Sequence, residues 1–326
     1  MAVLAVLFAG IAFCAVFTNL VYWYEALSAH EPDALRAKFR RALLPWALVR
    51  IVRTGLTQLA VFCLWPLAPF FHHPPSRAPY RVRGNGLAQG GDGPGPVLLV
   101  HGLYHNPSAW FLTIGRLRRA GFAVHTSWYW SFATDFEALR DQLARDVETL
   151  HARYGRPVAL VGHSLGGLLI RSYMASPASR ADDGVCRVAT VVTLGAPHQG
   201  SKLAALAVGR LGRSLIWRGA LVRALEARDR PPCAPALSLY SPIDNMVFPQ
   251  EGLRIRAPGW QEAETAPLDH VAMLFHTATL RRATRFLAEH AAQGHGATAD
   301  PAAADETDHE DAQAETTGEP LLHSHD

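Results

Sequence analysis

From Ala2 to Phe17 every position of the chain is apolar or glycine, and the run continues through Leu20 and Val21 to Tyr22-Trp23-Tyr24. That length suffices to cross a bilayer, and the aromatic residues at its far end suit a membrane interface. No basic stretch precedes it and it ends in no small-residue cleavage site, so it reads as a retained anchor rather than a removed signal. A second apolar run, Leu56 to Phe71, is interrupted by Gln58, Pro66 and Pro69. Extended back to Ala47, it brings Arg50 and Arg53 to where they could snorkel towards an interface. Between the runs, Arg36, Lys38, Arg40, Arg41, Arg50 and Arg53 outnumber Glu25, Glu31 and Asp33, which places this segment on the cytoplasmic side. If the second run spans, the rest of the chain faces outward; if it lies in the interface, the rest stays on the cytoplasmic side.

Residues 74–96 are rich in Pro, Gly and Arg and read as a linker with one possible edge strand at Tyr80 to Arg83. Beyond it the pattern alternates. Short apolar runs at Val97–Val100, Phe122–His125, Val158–Val161, Val188–Leu194 and Ala236–Ser241 predict strands. Helical spacing predicts helices at Trp110–Arg119, at Phe136–Tyr154, where Phe136, Leu139, Leu143, Val147 and Leu150 share a face, and at Leu165–Met174. This alternation predicts an α/β fold, a mostly parallel sheet with helices on both faces. The expected organisation is a membrane anchor over 1–73, the linker over 74–96, a catalytic domain over 97–293 and a disordered acidic tail over 294–326. An insertion at about 201–235 carries Leu206, Leu215, Ile216 and Trp217 among Arg210, Arg213 and Arg218, as a basic amphipathic cap or lid would, or as an ordinary helix packed on the core would.

The chemistry concentrates at Gly162-His163-Ser164-Leu165-Gly166-Gly167, where a buried strand breaks into a helix. Glycines at 162 and 166 allow a strained turn that pushes the Ser164 hydroxyl into the open, because a side chain at either would collide with the neighbouring strand or helix. A serine is a poor nucleophile at neutral pH and needs a base, itself oriented by an acid. Asp244 comes after the Ala236–Ser241 run and His270 precedes an apolar helical pattern, so the chain order is Ser, Asp, His. Asp269 adjoins His270, but neighbouring side chains in an extended loop point apart; Asp229 lies before its strand rather than after it. His163 and His198 read as structural or pocket-lining.

Together with Val100-His101-Gly102-Leu103 and Thr193-Leu194-Gly195-Ala196-Pro197-His198-Gln199-Gly200-Ser201, these motifs make the stretch from about Val97 to His290 resemble the α/β-hydrolase superfamily, and within it bacterial triacylglycerol lipases and esterases. The resemblance implies ester hydrolysis through an acyl-enzyme, with Ser164, Asp244 and His270 as the triad and the Leu103 and Leu165 amides as the oxyanion hole. It implies an ester or lipid substrate and neither metal nor organic cofactor. The same triad serves acyltransferases and thioesterases, and the fold can also serve as a membrane-bound module without turnover.

Charge divides unevenly. Nine of the 28 acidic residues and none of the 31 basic ones lie beyond residue 293, so the preceding chain carries about +12, which suits an anionic membrane surface. No aromatic-basic nucleic-acid module accompanies it. His309, His323 and His325 in the tail read as solvated rather than metal-binding. Cys186 and Cys233 precede two strands that could be neighbours, and a disulfide between them would require an oxidising compartment. The expected setting is a bacterial inner membrane with the catalytic domain in the periplasm, the cytoplasmic face being the alternative.

Overall fold

Val97 and Leu99 pack on one side of a sheet while Leu98 and Val100 pack on the other. Strands with both faces covered have no polar side to show, which is why they read as continuous apolar runs. A computed structural model of the chain describes residues 2–28, 43–76, 93–132 and 134–291. Its sheet has six strands, all parallel: β1 (Pro96–Val100), β2 (Ala123–Thr126), β3 (Val158–His163), β4 (Val188–Leu194), β5 (Ala236–Tyr240) and β6 (Trp260–Glu264), in the order β2-β1-β3-β4-β5-β6. The five expected strands are present within a residue or two. The edge strand β6, Trp-Gln-Glu-Ala-Glu, was not expected, because none of its residues is fully buried and its sequence has no apolar run.

The helices around the sheet are α1 (Ala2–Ser28), α2 (Leu43–Leu64), α3 (Phe111–Arg119), α4 (Phe136–Tyr154), α5 (Leu165–Met174), α6 (Gly209–Ser214), α7 (Ala220–Glu226) and α8 (Thr277–Ala291). The predicted apolar stripe of α4, Phe136 through Leu150, is buried with α5 against one sheet face, while α3 and α8 cover the other. Asp135 caps α4 by accepting from the Ala138 amide at 2.9 Å, and Gly155 ends it at φ 60°. The chain leaves β1 towards β2 on one side and returns to β3 on the other. The carboxyl ends of β1 and β3 therefore open a crevice, the usual ligand position in such sheets.

The N-terminal helices do not stand apart from this domain. Asn19 of α1 donates to Thr54 Oγ1 of α2 at 3.1 Å, and the Arg50 guanidinium of α2 lies 4.1 Å from the Tyr22 ring centroid. Residues Ala47–Phe71 form one helical stretch long and apolar enough to cross a membrane, with a mean hydropathy of 1.5. The sheet domain nevertheless holds that stretch from end to end. Arg50 and Arg53 pair with Asp269, Asn106 Nδ2 donates to the Trp65 carbonyl at 3.1 Å, and Thr126 Oγ1 donates to the Phe71 carbonyl at 3.3 Å. The arginines thus do not snorkel to an interface: a buried carboxylate draws them inward. Facing away from the domain, Phe8, Phe13, Leu20, Leu48, Leu56 and Phe62 are exposed.

A disulfide joins Cys186 to Cys233 across 5.7 Å between Cα atoms, and Cys14 and Cys63 are free. The insertion forms α6 and α7, with Leu211, Leu215, Val222 and Leu225 buried and Leu206 and Val208 exposed. The Tyr80–Arg83 strand candidate, the basic residues Arg36 to Arg41 and the acidic tail lie outside the described residues. The chain divides into units 1–294 and 295–326, of which the second is likewise undescribed.

Candidate active site

Ser164 stands between β3 and α5 with φ 54° and ψ −120°, a conformation that L-residues other than glycine rarely adopt. Two glycines make it possible. A Cβ at Gly162 would lie 2.6 Å from the Gly166 carbonyl and the Gly167 nitrogen, and one at Gly166 would lie 2.8 Å from the His101 oxygen and nearer still to that of Val100. The turn is pinned by the Ser164 amide donating to the Leu194 carbonyl at 2.9 Å. Leu165 begins α5, where backbone N–H groups have no intrahelical acceptor and the helix dipole is positive. Leu103, in the turn after β1, lines the same cavity as Ser164.

Asp244 and His270 meet although 26 residues separate them. His270 Nδ1 lies 2.6 Å from Asp244 Oδ2, with both side chains buried. The other carboxylate oxygen, Oδ1, accepts from the Met246 and Val247 amides at 2.8 and 3.0 Å. One oxygen is thereby committed to the backbone and the other to the imidazole. Ser164 and His270 both line a cavity of about 350 Å³, together with Leu103, His105, His163 and Pro197.

The rival residues sit elsewhere. The Asp269 carboxylate turns away from the cavity and is held by Arg50 at 3.0 Å and Arg53 at 3.0 Å. Asp229 pairs with Arg171, and His198 Nε2 lies 3.1 Å from Ser238 Oγ, away from Ser164. His163 lines the cavity, its Nε2 3.3 Å from the His270 carbonyl and its ring 4.7 Å from that of His270. Burial holds His163 well below the usual imidazole range.

Four contributors escaped the sequence reading. Asn245 accepts from the His270 amide at 3.0 Å and donates to Thr18 of α1 at 2.9 Å. Ser241 ties the acid loop to the base loop by donating to the Leu268 carbonyl at 2.6 Å and accepting from its amide at 2.9 Å. Cys14 and Phe17 of α1 line the cavity. A usable signal existed only for the arginines: Arg50 and Arg53 share a helix face inside an apolar run, and such charges need a buried counter-ion.

Several histidines make stability depend on pH. Burial lowers His101 and His125 to about 4, and holds His163 and His198 well below the ordinary value. Each binds its proton more weakly folded than unfolded, so the unfolded chain takes up more protons as pH falls from about 6.5 to about 4, and stability falls with it. Asp146, pushed up to about 6 by burial, acts in the opposite sense over part of that window, as one group against six once His73 and His105, lowered to about 4 and about 3, are included. The thermal unfolding midpoint is expected to drop on acidification from pH 7 to pH 4.5; a flat or rising midpoint would contradict this account.

The alpha/beta hydrolase family model matches residues 97–320, more than two thirds of the chain. Among solved structures, the mature form of the Bacillus licheniformis lipase BlEst2 is 21% identical with a TM-score of 0.51, over 59% of this chain and 91% of that one. Its propeptide form is 20% identical with a TM-score of 0.52, and the match takes in 65% of this chain but only 54% of that one. Aspergillus fumigatus lipase B is 19% identical with a TM-score of 0.52, over 68% and 61% of the two chains. At these identities the solved structures speak for the fold, and the family match speaks for descent. With the parallel sheet and the serine turn at its carboxyl edge, the chain belongs to the alpha/beta hydrolase family.

Proposed function

We propose that this protein is a membrane-associated serine hydrolase that cleaves carboxylic esters, lipid-like ones above all. The observation that carries the reading is a strained serine facing the same cavity as a histidine whose far nitrogen is held by a buried carboxylate. In the proposed cycle, Ser164 Oγ attacks the ester carbonyl while His270 Nε2 takes its proton, and Asp244 stabilises the resulting imidazolium. The Leu103 and Leu165 amides receive the oxyanion. The tetrahedral adduct collapses, the C–O bond to the alcohol breaks, and the alcohol leaves with the proton from His270. Water, deprotonated by the same imidazole, then releases the acid and restores Ser164.

Two further features bear on the setting. The exposed apolar faces of α1 and α2 suit lipid, and the grip of the sheet domain on residues 50–71 favours a hairpin lying in one face of the bilayer, in which neither run crosses and the basic residues between them no longer assign the domain a side. The Cys186–Cys233 disulfide favours the oxidising, periplasmic side of a bacterial inner membrane.

A fluorophosphonate probe tests the chemistry. The parent protein is expected to label and to hydrolyse p-nitrophenyl esters, and Ser164→Ala is expected to lose both by about 10⁴-fold or more. Equal labelling of the two proteins would remove the assignment. A membrane-impermeant version of the probe applied to spheroplasts reads the side: labelling only after lysis would overturn the periplasmic placement.

A further inference from the structure

One wall of the cavity comes from outside the matched domain. Cys14 and Phe17, one helical turn apart on α1, line it together with Leu203, Leu206 and Leu215 of the insertion and Val247. The wall is built in rather than passing by. Thr18 accepts from Asn245, Glu25 pairs with Lys202 at 2.9 Å, and Tyr22 packs on Phe248 at 6.4 Å between ring centroids. The cavity is therefore two-sided in character: Ser164, His105, His163 and His270 are among its polar groups, and α1 with the insertion supplies apolar surface. The next residues round and along α1, Phe8, Phe13, Val16 and Leu20, are exposed apolar side chains that continue this surface out of the cavity.

Resting on the serine-hydrolase reading above, we propose that α1 is the acyl-binding wall of the site. The substrate is a long-chain acyl ester whose chain lies against Cys14 and Phe17 while its carbonyl meets Ser164. An apolar chain needs continuous apolar surface to leave a lipid phase without crossing water, and α1 supplies it from the outward face to the cavity. The specificity-determining residues then lie in the first 28 residues and not in the hydrolase domain alone. The cavity volume of about 350 Å³ lies within the span of sites that enclose small organic ligands, roughly 300–1,000 Å³.

The test uses the full-length protein in detergent and the ratio of kcat/KM for p-nitrophenyl decanoate to that for p-nitrophenyl butyrate. Cys14→Trp, which fills the wall, is expected to lower that ratio at least tenfold, whereas Leu56→Ser on the outward face of α2, away from the cavity, leaves it unchanged. A ratio unaltered in Cys14→Trp, or lowered equally by both variants, would overturn the proposal. A second measurement avoids any folding defect of the tryptophan variant. In a Cys63→Ser background, a dodecyl fluorophosphonate on Ser164 is expected to slow maleimide alkylation of Cys14 at least tenfold more than an ethyl one does; equal rates would overturn the wall. Parent protein that fails to label with the ethyl reagent would remove the serine-hydrolase reading itself, and normal labelling with an unchanged ratio would remove the wall alone.

Discussion

Asp244→Asn is expected to lower kcat by about 10⁴-fold while leaving the fold in place, on the precedent of other triads. The hydrogen bonds dictate how the amide must sit. The Met246 and Val247 amides need an acceptor where Oδ1 now lies, so the asparagine carbonyl takes that position and its NH₂ faces His270 Nδ1. Nδ1 must then become the acceptor, which moves the ring proton to Nε2, the nitrogen that has to receive the proton of Ser164. Steady-state kinetics on short esters, with the ring tautomer read by ¹⁵N NMR, check both halves of the argument. A loss below tenfold would show that Asp244 does not orient the base.

Arg50→Met should cost about 3–5 kcal/mol of stability, the range for breaking one half of a buried ion pair. Arg50 and Asp269 are both 1% exposed, and Arg50 also donates to the Ile243 carbonyl at 2.9 Å. Without it Asp269 keeps only Arg53, whose side chain is 35% exposed and screened by solvent. The orphaned carboxylate sits next to the base, so kcat falls as well. Adding Asp269→Asn removes the uncompensated charge and should return most of the lost stability. Urea unfolding of the single variants and the double variant closes the cycle. A single-variant cost under about 1 kcal/mol would mean that α2 is not held through this pair.

Both results turn on residues that differ in how readily the sequence betrays them. The serine turn was legible because its demands are local: a strand end, two glycines where no Cβ fits, and a helix start within six residues. The buried stripe of α4 and the apolar runs of β1, β3 and β4 were legible because burial imposes a period or removes it. The edge strand β6 was not, since a half-exposed edge strand carries Gln and Glu as readily as a loop does. Nor was the docking of α1 and α2. Their apolar surface predicts burial or lipid without naming the partner, and the contacts that name it span 177 to 227 positions along the chain.

By itself, then, the sequence determined the element types and their order, the place of the strained serine, and the chain order in which Ser164, Asp244 and His270 follow one another. Only the tertiary structure decided which carboxylate meets His270. Asp269, next in the chain, is turned towards two arginines 216 and 219 positions away, while Asp244 is brought to 2.6 Å by a loop that Ser241, Asn245 and Gln250 hold in place. The reason is physical. A side chain's direction is set by the backbone it hangs from, but a buried charge goes to whatever partner offsets its lost hydration, and that partner exists only once distant segments have packed.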